Sequence, residues 1–158
     1  MNLAKTIQLD VSDTRIFEHA ANPAEWAISG TFAFIDDDPL NWSRKRRFAF
    51  QSSWLGLKSY GNSTFVQVTK ISEEEYKFIT KSLTEHFIKY YNAPNPEEAG
   101  MAATQEIEDM VSVCNHPAGT LLTIERSIFD DKIKESTKVI IPNDSVLRTQ
   151  AWEISEDK

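Results

Sequence analysis

Arg44-Lys45-Arg46-Arg47 is the densest run of like charge in the chain. Guanidinium groups recognise carboxylates and phosphates through paired hydrogen bonds, so such a run raises the chemistry of an anion or partner site. On a helix, however, successive residues turn by about 100°. The four cations then wrap around the axis instead of forming one face. Arg44 and Arg47 share a side, but Gln51, the next position there, is neutral. Asp36, Asp37 and Asp38 lie close enough to offset the charge. The run reads first as a solvated helix and second as a binding site made by Arg44, Lys45, Arg46 and Arg47.

Cys114-Asn115-His116 places a thiol and an imidazole two positions apart. A tetrahedral metal site needs four ligands, and the chain offers this one Cys with three His, of which His19 and His86 are far off in sequence. A nucleophile needs an orienting base and a lowered pKa, whereas a helix C-terminus raises a thiol pKa. Cys114 therefore reads as a buried structural residue. His86 lies one helical turn from Leu83 and Tyr90 and reads as a boundary residue. His86, Cys114 and His116 are kept as polar pocket candidates. Glu98, Gln105, Glu106, Glu108 and Asp109 share one helix without any Glu-x-x-His or Asp-x-Asp pattern, so they read as a solvated acidic face. No GxGxxG, GxxxxGK[ST], GxSxG or HExxH motif occurs. Trp42, Trp54 and Trp152 fall near element ends; a core role for most of them reads first, and burial of such large rings in an interface with a partner second.

The elements that position these groups follow from periodicity. Thr6 to Val11 alternates as a strand, and Thr14 to Ala20 reads as a second. Glu25 to Ile35 is predicted as a central strand, with Gly30 marking a close approach by a neighbour. Asp38-Pro39 starts a helix to about Leu55, stopped by Gly56. Gly61-Asn62-Ser63 is a turn and Thr64 to Ile71 a strand. Ser72-Glu-Glu-Glu75 is a capping box for a helix to about Tyr91, with Tyr76, Ile79, Leu83, Phe87 and Tyr90 as its stripe. Asn95-Pro96 starts another helix, lined by Ala99, Ala103, Ile107, Met110 and Cys114. Thr120 to Phe129 and Lys132 to Ile141 form a hairpin across Asp130-Asp131. Leu147 to Ile154 is a short edge strand or ordered tail, and 155–158 is frayed. The expectation is one α+β domain over 1–158, ordered β-β-β-α-β-α-α-β-β. About six strands form a mixed or mostly antiparallel sheet, and three helices make the second layer.

The 158 residues carry 17 basic and 24 acidic side chains, a net −7. Residues 1–71 hold 8 basic and 7 acidic residues, and residues 72–158 hold 9 and 17. That imbalance reads as solvated acidic helices, or as a surface for a basic partner. The net charge argues against an electrostatic grip on nucleic acid. One Cys excludes a disulfide scaffold. The lack of an apolar run of about 20 residues argues against a membrane span. A reducing, cytoplasmic setting fits best.

Two stretches carry a resemblance. Asp13-Thr-Arg-Ile-Phe-Glu-His19 with Glu25-Trp-Ala-Ile-Ser-Gly-Thr-Phe-Ala-Phe34, and Trp54-Leu-Gly-Leu57 with Ser63-Thr-Phe-Val-Gln-Val68, resemble a family of uncharacterised alphaproteobacterial proteins classed as a domain of unknown function. The resemblance implies no activity. It implies an accessory role, since the family's members sit beside accessory genes for molybdenum-dependent formate dehydrogenases. The expectation is a non-enzymatic protein without a cofactor, acting on another protein or on itself as a homodimer. The alternative is a small-molecule-binding protein or enzyme with a pocket between sheet and helices, with Arg47, His86 or His116 among its polar groups.

Overall fold

The computed structural model describes residues 1–8, 15–141 and 153–156. Eight strands form one sheet: β1 (Asn2–Ile7), β2 (Trp26–Ile28), β3 (Trp54–Gly56), β4 (Asn62–Ser63), β5 (Phe65–Lys70), β6 (Leu121–Phe129), β7 (Lys132–Ile141) and β8 (Glu153–Glu156). Their spatial order is β4-β3-β2-β1-β5-β6-β7-β8, and every pair in it is antiparallel. Among the described residues, three helices of nine residues or more, α1 (Arg44–Ser52), α2 (Glu73–Tyr90) and α3 (Pro96–Val113), complete an α+β fold.

The last two helices begin where their caps dictate. The Ser72 hydroxyl accepts from the Glu75 amide, and the Asn95 side chain accepts from the Glu98 amide. The Glu75 carboxylate does not close the second arm of the box. It accepts instead from the Ser72 hydroxyl and from the Trp26 indole. Ile79, Leu83 and Phe87 of α2 and Ala99, Ala103, Ile107, Met110 and Cys114 of α3 are buried. They join Leu3, Ile28, Trp54, Val66, Val68, Leu122 and Ile124 in one core. Each fully buried aliphatic side chain there is worth about 1.5–3 kcal/mol. The β6–β7 hairpin turns at Asp130 and Asp131, both with positive φ (54° and 61°), the geometry of a two-residue primed turn.

The first half departs from its periodicity. The strand expected over Glu25–Ile35 stops at Ile28, because Gly30 turns left-handed (φ 77°) and a 3₁₀ turn follows over Thr31–Phe34. A Cβ on Gly30 would stand 2.5 Å from the Cβ of Leu55, so the expected close approach is made by Leu55. The turn sends Phe32 to the main core and Phe34 to a second cluster with Phe17, Ala49 and Phe50. The helix expected from Pro39 to Leu55 is split. Asp38 caps a 3₁₀ turn over Pro39–Asn41, and Ser43 then caps α1, whose Arg46 amide it receives. Trp54 to Gly56, expected as the end of that helix, is strand β3, and Asn62-Ser63, expected as turn, pairs with it. β1 starts at Asn2, not Thr6. Within the described part of the second expected strand, Arg15 and Ile16 are helical, and Ala20 makes one bridge to Asn62. Ser155 and Glu156, expected to be frayed, pair with Val139 and Lys138.

Candidate functional site

A groove of about 860 Å³ runs along the exposed side of α2. Its helical wall carries Glu74, Phe78, Ser82, Glu85 and Lys89, spaced so that all lie on one side of the helix. The facing wall is built by Trp26 and by the β3–β4 loop, with Leu57, Lys58 and Tyr60. His86 and Tyr90 stand at one end. Apolar surface dominates, and the ring of Phe78 is 70% exposed.

Glu25 sets the facing wall. Its residue is almost fully buried at the start of β2. Its carboxylate accepts from the amides of Asn22 (2.6 Å), Lys58 (2.9 Å) and Ser59 (2.6 Å), and from the Ser59 hydroxyl (2.6 Å). Burial pushes this carboxyl up, but the bonds from Ser59, Asn22 and Lys58 outweigh it and hold its pKa below the ordinary value. Gly56 leaves the room: a Cβ there would lie 2.6 Å from Glu25 Oε1. With Lys58 and Ser59 pinned, Tyr60 takes a left-handed backbone (φ 57°), a conformation that a Tyr adopts only where its surroundings impose it. Its ring then stacks flat on His86, centroids 3.7 Å apart and planes 2° from parallel. Burial, and then the negative fields of Glu85 and Glu25, push the Tyr60 phenol up to about 12. Burial also pulls the His86 imidazole below its ordinary value, so it is neutral at pH 7. Across the groove the Trp26 indole N–H donates to Glu75 Oε2 at 3.1 Å, and Lys5 Nζ sits 4.6 Å from the Trp26 ring.

The expected site residues separate in space. His86 lines the groove. Cys114 and His116 are not in its lining. Cys114 is fully buried at the end of α3, in the main core, and the His116 carbonyl accepts from the Asn2 side chain at 3.1 Å. The three pocket candidates therefore do not converge.

The basic run is divided by its own chain. Arg44 and Lys45 are exposed, whereas Arg46 donates to Asp37 (3.0 Å) and to the Ala33 carbonyl (2.7 Å) and lies over the Phe34 ring at 4.2 Å. Arg47 donates to the Pro39 carbonyl and lies 5.7 Å from the Trp42 ring. Trp42 donates to Asp37 and packs on Phe34 and Phe50. Trp54, an interface candidate, takes the core role instead: it is fully enclosed by the chain, and its indole N–H has no hydrogen-bond partner. Trp152 lies outside the described residues. Trp26, Tyr60 and Phe78 carried no site signal in the sequence; Trp26 read only as one more strand residue.

Among the described residues no group of three His, Cys, Asp or Glu side chains is placed to hold a metal ion, and no helix is long and apolar enough to cross a membrane. A model of a family of unknown function, DUF6505, matches residues 1–158. No curated protein matches the chain. No solved structure matches it either.

Proposed function

For a chain that belongs to the DUF6505 family, we propose a non-catalytic binding role in the cytoplasm, in which the α2 groove docks a segment of another protein. The observation that supports this most is the pair of exposed rings, Phe78 and Tyr90, facing the half-buried Trp26 along a groove about 22 Å long, the length of fifteen steps of 1.5 Å along α2 from Glu74 to Lys89. Exposed aromatic rings in a concave surface are typical anchors of protein interfaces. Three of the titratable groups that line it are committed to structure. Glu25 is consumed by its loop, Glu75 holds Trp26, and the His86 ring is stacked on Tyr60. Such a module suits the accessory role that the sequence resemblance implies.

The test is a photo-crosslinking amino acid placed at Phe78, compared with the same group at Met101, an exposed residue of α3 outside the groove. A discrete adduct formed in cells from position 78 alone is expected. Identical adducts from both positions, or none from either, defeat the proposal.

A second reading has its own observation. Behind the Tyr60–His86 pair lies a cavity of about 370 Å³, lined by Arg46, Asn62 and Tyr91 as well. That is a volume for a small molecule. A saturable rise in melting temperature with one metabolite, abolished by Arg46→Met, supports it.

A further inference from the structure

We infer that the segment taken by the groove is basic, and that it places an Arg or Lys side chain over the open Phe78 ring, between the carboxylates of α2. This rests on the groove reading above and adds the chemistry of the partner. Four carboxylates (Glu25, Glu74, Glu75 and Glu85) line the groove against two ammonium groups, those of Lys58 and Lys89. Three of the four are exposed; Glu75 holds the Trp26 indole, and the other two flank the Phe78 ring along the helix, Glu74 one turn before it and Glu85 two turns after it. The negative field reaches the floor, where Glu85 and Glu25 both act on Tyr60.

The same chain shows what such an arrangement holds when it is filled. Around Phe34, the Arg46 guanidinium lies 4.2 Å from the ring centroid while the Asp37 carboxylate takes its Nε at 3.0 Å. Ring, carboxylate and guanidinium form a closed set there. Along the groove the ring and the carboxylates are present, and Phe78 has no cation over it among those the structure shows. A cation placed between a ring face and a carboxylate gains from both. The groove's length suits a basic amphipathic helix of about four turns, or an extended run of about seven residues.

Three fluorescein-labelled peptides of fifteen residues test this. They share Leu and Trp anchors and differ only at the polar positions, which are Arg/Lys, Gln or Glu. Fluorescence anisotropy with the full chain should give saturable binding, the cationic peptide tighter than the Glu peptide by about tenfold or more. The Glu74→Gln/Glu85→Gln double variant should remove most of that preference. Glu97→Gln/Glu98→Gln, the same charge change at the start of α3 and away from the groove, should leave it intact. Phe78→Ala should weaken all three peptides. Equal affinity for the three peptides, or equal loss from the two double variants, overturns the basic specificity and leaves the groove reading standing. Saturable binding by none of them overturns both. A concentration-dependent dimer in light scattering that Phe78→Asp dissolves gives the groove to a second copy and also overturns the proposal.

Discussion

Two parts of this molecule bring aromatic rings and charges together, with opposite outcomes. In the small cluster between the 3₁₀ turns and α1, the chain supplies every partner. Arg46 and Arg126 lie against Phe34, Arg47 lies near Trp42, and Asp37 receives both Arg46 and the Trp42 indole. Along the α2 groove, Phe78 stands open with no cation over it, and the exposed carboxylates outnumber the cations that line the groove. The comparison teaches that a ring or a run of arginines marks no site by itself. What matters is whether the fold already satisfies it. Half of the basic run that drew attention in the sequence, Arg46 and Arg47, is spent on internal contacts, and the open ring lies where the sequence looked like an ordinary amphipathic helix.

The largest effect should come from removing the cation that closes the first region. The Arg126 side chain is fully buried and donates to the carbonyls of Ser29 and Phe50, to Thr31 and to Glu135. Arg126→Met takes the buried donor from the Ser29 and Phe50 carbonyls and the counter-ion from Glu135, and should cost about 3–5 kcal/mol in chemical denaturation. Groove binding per folded molecule should be unchanged. A loss below 1 kcal/mol would mean that the first region is not held by its internal charges.

The wall of the second region should respond next. Glu25→Gln replaces an acceptor of four hydrogen bonds with a group that must itself donate, at a cost of about 2 kcal/mol. Because the folded carboxyl titrates below its ordinary value of 4.5, its contribution is present above that pH and is lost as pH falls through the folded value. The gap in melting temperature between wild type and variant should therefore be full at pH 7 and narrow below pH 4.5. A gap independent of pH would remove the charge from the explanation.

Glu106 is the opposite case. Burial, then Asp109 and Glu135, raise its pKa, with Arg126 opposing them. A raised folded pKa favours the protonated form, so the stability it brings is present at low pH and lost as pH rises through the folded value. Glu106→Gln should raise the melting temperature at pH 7 and leave it unchanged at pH 4. The smallest effect on stability is expected in the groove itself. Phe78→Ala removes an exposed ring and should change unfolding free energy by no more than about 0.5 kcal/mol, although it weakens docking. A large destabilisation would make Phe78 a core residue and close the contrast between the two regions.

What could be read from the residues follows the range of the forces involved. Caps, helical stripes and the Asp130-Asp131 turn are set by neighbours within about four positions, and Ser72, Asn95 and the stripe from Ala99 to Cys114 all stand as their spacing predicts. The α+β class followed from them. The stretch from Glu25 to Gly56 was misread because distant residues decide it. Gly30 turns the chain under Leu55, and Ser43 restarts a helix that Asp38 seemed to have begun. The groove was hidden for the same reason. Trp26 and Ile28 alternate as strand residues, and nothing local distinguishes the ring that meets α2 from the side chain that enters the core. Glu25 looked like a strand edge, yet its four donors come from Asn22, Lys58 and Ser59. One signal was available: Gly56 and Gly61 bracket the loop that Glu25 pins, and both leave room for backbone or carboxylate from residues 20–25.

The hydrogen bond from Trp26 to Glu75 joins positions 49 apart. A contact of that span forms only after a long loop has closed, which ties it to the late, global part of folding. On the ribosome, the facing wall is synthesised well before the helix that completes the groove. A partner segment therefore finds no partial version of its site on the emerging chain, and no short fragment of the protein carries one. Docking reports that the two walls have been joined.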